Sequence, residues 1–254
     1  MSKTLLTFGN ELYYGALNRL KKQATEINVF DNIIIYKDTD LHQMPEFWDK
    51  HKDFILANKR GYGYWIWKSY LTLKTLESMN DNDILVYTDA GCELNKEGKS
   101  RLNDYFKIVT ESPHGILGFK YEQFLEKTWT KMDLYNYLGC PVDNDGQIWS
   151  GGIIFRKCEN TMSLVKKWHD TSCIYNLIND RSSNSPNDST FSEHRHDQSI
   201  LSLLMKKYGG ETISTYEVDF AYRSTDWNSI KHLPIIEIRN RSERSHVDTV
   251  RPST

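Results

Sequence analysis

The sequence predicts an α/β fold: a mixed, mainly parallel central sheet flanked by helices. Two observations predict it. The chain opens on an apolar run, residues 4–8, then a helical stretch, then a β-branched run at residues 32–36. A strand–helix–strand start of this length forms a parallel pair with a right-handed crossover. Further on, two buried-strand runs, residues 84–89 and 148–155, carry small and polar residues at their ends. In open α/β sheets the carboxyl edge of the strands is where ligands bind.

The elements follow in order. Residues 4–8 are the first strand, and Gly9-Asn10 begins a loop. Residues 12–24 place Leu12, Ala16, Leu17 and Leu20 at helical spacing. Residues 32–36 are the second strand. A helical region covers residues 45–58, and another helix runs to Leu76 from a glycine- and aromatic-rich segment at residues 59–68. Asp81-Asn82-Asp83 reads as a turn. The strand Ile84-Leu85-Val86-Tyr87-Thr88-Asp89 follows it. Residues 115–119 and 148–155 add two strands. Residues 161–170 form a helix with Leu164, Val165 and Trp168 on one face. Residues 179–192, rich in Ser, Asn and Asp with Pro186, have the composition of a mobile loop. Residues 193–198 then open a helix at 199–208. From Arg239 the chain is polar, charged and expected to fray. No repeat or linker divides the chain, so it reads as one domain.

Composition excludes several classes. Of 254 residues, 32 are Lys or Arg and 34 are Asp or Glu, giving a formal net charge of −2. A general nucleic-acid binder shows a basic excess instead. No apolar run approaches membrane-spanning length, and Met1-Ser2-Lys3-Thr4 lacks the apolar segment of a signal peptide. Cys92, Cys140, Cys158 and Cys173 show no Cys-x-x-Cys spacing. They read as free thiols in a reducing compartment, the cytoplasm. The 15 Tyr, 10 Phe and 7 Trp suit core packing and also stacking on sugars or bases.

Several segments carry candidate chemistry, each beside a plainer reading. Asp89 either meets a metal–diphosphate or sugar hydroxyl, or caps the next turn. Arg60 and Lys68 flank two glycines and the aromatics Tyr62, Tyr64, Trp65 and Trp67. The cations suit a diphosphate and the aromatics a base or sugar, or else the rings anchor a helix to the core. The segment does not have P-loop spacing. Glu93 is a second oxygen ligand near Asp89, or a solvated side chain. Trp149-Ser150-Gly151-Gly152 makes room for a group close to the backbone, or marks a bulge. His194 and His196 resemble a weak metal pair. Asp197 and Gln198 suit sugar hydroxyls, or Asp197 is only a helix cap. Glu122 and Glu126 share a face if their segment is helical.

Three stretches occur in a telling order: Tyr87-Thr88-Asp89-Ala90-Gly91, then Ser150-Gly151-Gly152-Ile153-Ile154-Phe155, then His196-Asp197-Gln198-Ser199-Ile200-Leu201. Together they resemble nucleotide-sugar-dependent glycosyltransferases of the GT-A (Rossmann-like) fold, over residues 4 to about 208. The chain is similar to small enzymes of bacterial surface-polysaccharide clusters and large DNA viruses. There, stretches like Gly63-Tyr64-Trp65-Ile66-Trp67-Lys68 and His196-Asp197-Gln198-Ser199 recur together. The resemblance implies a nucleotide-binding half over about 1–95, a sugar and acceptor half over about 96–238, and a polar tail, 239–254. It implies a donor site bordered by Phe8, Gly9, Arg60, Tyr64, Trp65, Lys68, Thr88, Asp89, Ala90 and Gly91. Trp149, Ser150, Gly151, Gly152, His194 and His196 would bind the transferred sugar or the acceptor. Asp197 and Gln198 would sit near the anomeric carbon. The location would be a bacterial cytoplasm, or a host's if the protein is viral.

One departure bears on the metal. Where the family's Asp-x-Asp has its second acid, this chain has Gly91. Either Mn²⁺ or Mg²⁺ binds Asp89 with help from Glu93, His232 or His246, or cations such as Lys68 replace it. The expected reaction moves a hexose from a nucleoside-diphosphate sugar to a hydroxyl of a glycan or glycoconjugate. An inverting enzyme needs a carboxylate base, for which Asp197 and Glu126 are candidates. Resemblance to Asp-Gln families tilts the choice toward retention. The rivals are a sugar-nucleotide pyrophosphorylase, whose glycine-rich N-terminal loop is missing at Phe8-Gly9-Asn10-Glu11, and a non-catalytic carbohydrate-binding scaffold.

Overall fold

The computed structural model describes residues 1–218 and 226–250. Its strands are β1 (Lys3–Gly9), β2 (Asn32–Lys37), β3 (Ile84–Thr88), β4 (Cys92–Leu94), β5 (Ile116–Leu125), β6 (Gly146–Arg156), β7 (Glu211–Ser214) and β8 (Ile235–Glu237). Six form one sheet in the order β2-β1-β3-β6-β5-β7, and β4 pairs with β8. Strands β1, β2 and β3 run parallel. β6 is antiparallel to both neighbours, and β5 and β7 are parallel to each other. The sheet is therefore mixed and mainly parallel, as predicted.

Strand alternation splits the apolar residues between two cores. Leu6, Leu85, Tyr87, Ile153 and Phe155 join one cluster, while Leu5, Ile84, Val86 and Ile154 join the other. Helices cover both faces. On one side lie α1 (Tyr14–Ile27) and, further along the chain, the unpredicted α4 (Lys99–Glu111). On the other lie α2 (Pro45–Ala57), α3 (Ile66–Ser78), α5 (Glu159–Ser172) and α6 (Asp197–Tyr208). Leu12 departs from its predicted place. It sits in a 3₁₀ turn before α1 and is 58 % exposed. Residues 121–131 are not one helix: Glu122 is an exposed strand residue, and Glu126 begins a single turn.

The predicted mobile loop is tied down. Asp133 accepts backbone hydrogen bonds from Asn184 (2.8 Å) and Ser185 (3.0 Å), and Asn187 accepts one from Met132 (2.8 Å). Lys131, fully buried, donates to Asn179 O at 3.0 Å.

The polar tail does not fray where it is described, and Glu93 is the reason. Its carboxylate is wholly buried, so neither the solvated nor the ligand reading of Glu93 holds. Oε1 accepts from Asn240 Nδ2 (2.8 Å) and the His246 amide (2.7 Å). Oε2 accepts from Ser245 Oγ (2.6 Å), the Val247 amide (3.1 Å) and Gln23 (3.1 Å). Burial alone would raise its pKa. The donors outweigh burial and hold it below the usual range. The Arg19 guanidinium, 3.7 Å away, also donates to the carbonyls of Ala90, Cys92 and Asn240. Residues 251–254 of the tail and 219–225 of the expected sugar half lie outside the described residues.

Removing the charge at Glu93 leaves Arg19 buried without its carboxylate, a loss of about 3–5 kcal/mol. Glu93→Gln should therefore lower Tm markedly in calorimetry. It should also speed amide hydrogen exchange at residues 240–247 ahead of the sheet.

Candidate functional site

A cleft of about 580 Å³ lies at the carboxyl ends of β1 and β3. Phe8, Gly9, Asp89, Ala90 and Gly91 reach it from the two strand ends. Because β6 is antiparallel, its early residues extend past the end of β3. Thr88 pairs with Gly152, and the Asp89 amide donates to Gly151 O at 2.8 Å. Trp149 and Ser150 are thereby delivered to the cleft.

The rim between α2 and α3 is a turn of opposite hand. Gly61, Tyr62, Gly63, Tyr64 and Trp65 all have positive φ, from 52° to 84°. Tyr64 and Trp65 donate four residues back, to the carbonyls of Arg60 (2.8 Å) and Gly61 (3.0 Å). Left-handed backbone costs roughly 1–2 kcal/mol per non-glycine residue, so surrounding contacts must impose it. Trp67 Nε1 donates to Gly61 O at 3.0 Å, Tyr62 bonds His42 at 3.0 Å, and Tyr64 stacks on His196 at 4.8 Å. The turn puts Tyr62 and Trp65 on the cleft wall beside Phe8 and Trp67.

At the cleft floor lies Lys68, in the first turn of α3 and 2 % exposed. Its ammonium is 3.0 Å from Asp89 Oδ1 and 3.2 Å from Asp197 Oδ2, and it donates to Ser150 O at 3.2 Å. Burial disfavours the charge, but Asp197 and Asp89 outweigh burial and raise the lysine pKa. Asp197 is buried too, and desolvation pushes its pKa up to about 6 despite Lys68. Ser150 Oγ donates to it at 2.9 Å. Tyr87 OH donates to Asp89 Oδ1 at 2.7 Å. Asp197 is the first residue of α6 but is not its cap. That position falls to His196, at φ 56° and ψ −123°, another strained residue. Trp168 Nε1 donates to Asp197 O at 3.1 Å and fixes the helix start.

The cleft thus gathers Phe8, Gly9, Arg60, Trp65, Lys68, Asp89, Ala90, Gly91, Trp149, Ser150, His196, Asp197 and Gln198. Other candidates stand behind it. Thr88 is fully buried, with its hydroxyl unpartnered. Tyr64 packs against His196. Gly151 and Gly152 lie inside β6, not in a turn, and the group they make room for is the indole of Trp149. A Cβ on Gly151 would come within 2.3 Å of that ring. His194 is buried and bonds Leu177 O at 2.9 Å. Glu126 is enclosed by Thr130, Gln147, Ser202 and Lys206, away from the cleft lining. Gln198 links the two regions: it accepts from the Ser150 amide at 3.3 Å and donates to Gln147 at 2.6 Å.

Sequence reading missed Asn10, Tyr13, Arg195, Glu237, Arg239 and Arg241, all of which line the cleft. The signal for the last two was the spacing of Arg239 and Arg241 in the tail, which reads equally well as solvation.

No family model matches the chain, and no curated protein matches its sequence. Solved structures do. A glycosyltransferase involved in the glycosylation of the major capsid of PBCV-1 aligns over 94 % of this chain and 96 % of its own. The TM-score is 0.51 at 9 % identity. The fold is GT-A. Mouse xyloside xylosyltransferase 1 aligns over 93 % of this chain and 97 % of its own, with TM-score 0.48 at 10 % identity.

GT-A glycosyltransferases typically use a divalent metal, and the residues present do not fit one. Asp89 is already paired with Lys68. Glu93 is consumed by the tail, and neither His232 nor His246 lines the cleft. Among the described residues, no group of three or more His, Cys, Asp or Glu is placed to hold a metal ion.

Lys68→Met leaves two carboxylates facing each other without a cation. At pH 8 the variant should lose about 3–5 kcal/mol of stability. With Lys68 gone, the Asp197 pKa climbs further above its unfolded value. Folding then takes up a proton below that pKa, so the deficit should shrink as pH falls from 8 to 5. Chemical denaturation of both proteins across that range measures it.

Proposed function

We propose that this chain is a glycosyltransferase that moves a hexose from a nucleoside-diphosphate sugar to a hydroxyl of a glycan or glycoconjugate. The observation carrying this reading is the pair of carboxylates held on one buried lysine at the carboxyl edge of a GT-A sheet. The cleft around them suits such a donor. Its lining carries Lys59, Arg60, Lys68, Arg195, Arg239 and Arg241 against Asp89, Asp197 and Glu237, an excess of cations for a diphosphate. Phe8, Tyr62, Trp65 and Trp67 form an aromatic wall for a base.

In this reading residues 1–95 hold the base and ribose of the nucleotide. Asp89 is engaged through Oδ1, which leaves Oδ2 for a ribose hydroxyl. Asp197 and Gln198 meet the transferred sugar. Trp149 and Ser150, from β6, border the sugar or the acceptor, and His196 holds Tyr64 and Trp65 in place. As the bond from the anomeric carbon to the diphosphate oxygen breaks, positive charge grows on the sugar and negative charge on the leaving group. The acceptor oxygen bonds to the anomeric carbon and loses its proton. Glu126 is enclosed by donors, and Asp197 is committed to Lys68 and Ser150. Neither is free to take that proton, which favours retention, with the leaving diphosphate as the proton acceptor.

A panel of UDP-, GDP-, ADP- and dTDP-hexoses, followed by nucleoside diphosphate release, tests the reading. At least one donor should be hydrolysed slowly without acceptor; failure of all of them to bind would sink it. Asp197→Asn should slow release about 10²–10³-fold. The wild-type rate should fall as pH drops through about 6, because protonation removes the carboxylate that pairs with Lys68. The Asn variant should lack that acid limb.

A further inference from the structure

The polar segment after β8 packs beside Gly91, the residue that stands where an Asp-x-Asp pattern has its second acid. Gly91 has no side chain, and the space beside it is filled. A Cβ there would meet Arg239 Cα at 3.1 Å, Arg239 C at 3.5 Å and Asn240 N at 3.7 Å. The Asn240 amide donates to Gly91 O at 2.9 Å. A side chain at residue 91 would press on this segment and need it to give by a few tenths of an ångström, and what the segment brings to the cleft is positive charge. Arg239 and Arg241 both line the cleft.

The segment is held in place as a built feature. Glu93 clamps it through Asn240, Ser245, His246 and Val247. Arg19 donates to Asn240 O at 3.0 Å and also to Ser242 O. Arg239 has φ 52°, a left-handed conformation that a non-glycine residue keeps only when its neighbours impose it. The Arg241 guanidinium lies over the Tyr13 ring, 5.1 Å from its centroid, and Tyr13 is itself a cleft residue. Across the cleft, Lys68 is paired with Asp89 Oδ1. Arg60 is paired with Asp180 and Glu193 and Arg195 with Glu193, while Arg239 meets Glu237 only through Nε, at 3.3 Å, on a side chain that is 81 % exposed.

We propose that the donor diphosphate is neutralised by the protein's own cations, Arg239 and Arg241 on the clamped segment together with Lys68, in place of a divalent metal. This rests on the nucleotide-sugar reading above. Arginine is suited to the task, since its planar fork meets two phosphate oxygens at once and its charge is permanent. The chemistry balances without a further ion. The anomeric carbon–oxygen bond breaks with both electrons to the diphosphate, and the growing charge on that oxygen is met by guanidinium and ammonium groups already in place.

The test is calorimetric titration of the full chain with UDP, GDP, ADP and dTDP, in EDTA and again in excess Mn²⁺. At least one nucleotide should bind in EDTA, with affinity changed less than about twofold by Mn²⁺ and falling as salt rises. Arg241→Ala, an exposed position, should weaken binding about tenfold or more in both conditions. Gly91→Asp should weaken it too, and Mn²⁺ should not rescue it. Binding that requires Mn²⁺, or that Arg241→Ala leaves intact, overturns this inference while the donor reading stands. Failure of all four nucleotides in both conditions overturns both.

Discussion

The ammonium of Lys68 sits within 3.3 Å of oxygens from three separate places in the chain. Asp89 follows β3, Ser150 belongs to β6 and Asp197 opens α6; Lys68 itself is in the first turn of α3. A buried cation of this kind has no alternative partner in water, so each oxygen must be where it is for the fold to close. The antiparallel course of β6 is what makes this geometry available. A parallel strand would bring its far end to the cleft and carry Ser150 toward the opposite end of the sheet.

Around that charge cluster the backbone is forced out of its preferred conformations. The reversed turn at residues 61–65, His196 and Arg239 all have positive φ, and each contributes to or borders the cleft. Among the described residues, the other non-glycine positions with positive φ are Asn28 and Asn82, and asparagine tolerates that conformation. Strain concentrated in this way is characteristic of a surface shaped for a ligand rather than for stability. The two apolar cores on either face of the sheet supply the free energy that offsets it.

The fold was readable because its signals are periodic and local. Continuous apolar and β-branched runs marked β1, β2, β3 and β6, and α1, α2, α5 and α6 were placed to within a few residues. What could not be read depends on distant partners. Glu93 and the residues that clamp it are about 150 positions apart, and no local pattern tells a clamped polar tail from a solvated one. The same holds for Arg241 on Tyr13. Gly151 and Gly152 signalled a close approach correctly, but the group they accommodate is a neighbouring indole, which only the pleat of the strand reveals. Lys68 and Asp197 stood out as chemistry-bearing residues, while their contact was invisible until α3 and α6 were packed against β6.

The reversed turn also constrains how this site can diverge. A Cβ at Gly61 would lie 2.3 Å from the Trp65 ring, and one at Gly63 would lie 2.7 Å from Ile55. Residues 61 and 65 can therefore change only together, and a smaller ring at 65 dismantles part of the cleft wall. Descendants of this sequence that acquire new substrates would keep residues 61–65 frozen. Their variation would fall on the opposite lip, at Asn10 and Tyr13, where φ is −79° and −116° and no left-handed backbone restricts the side chain.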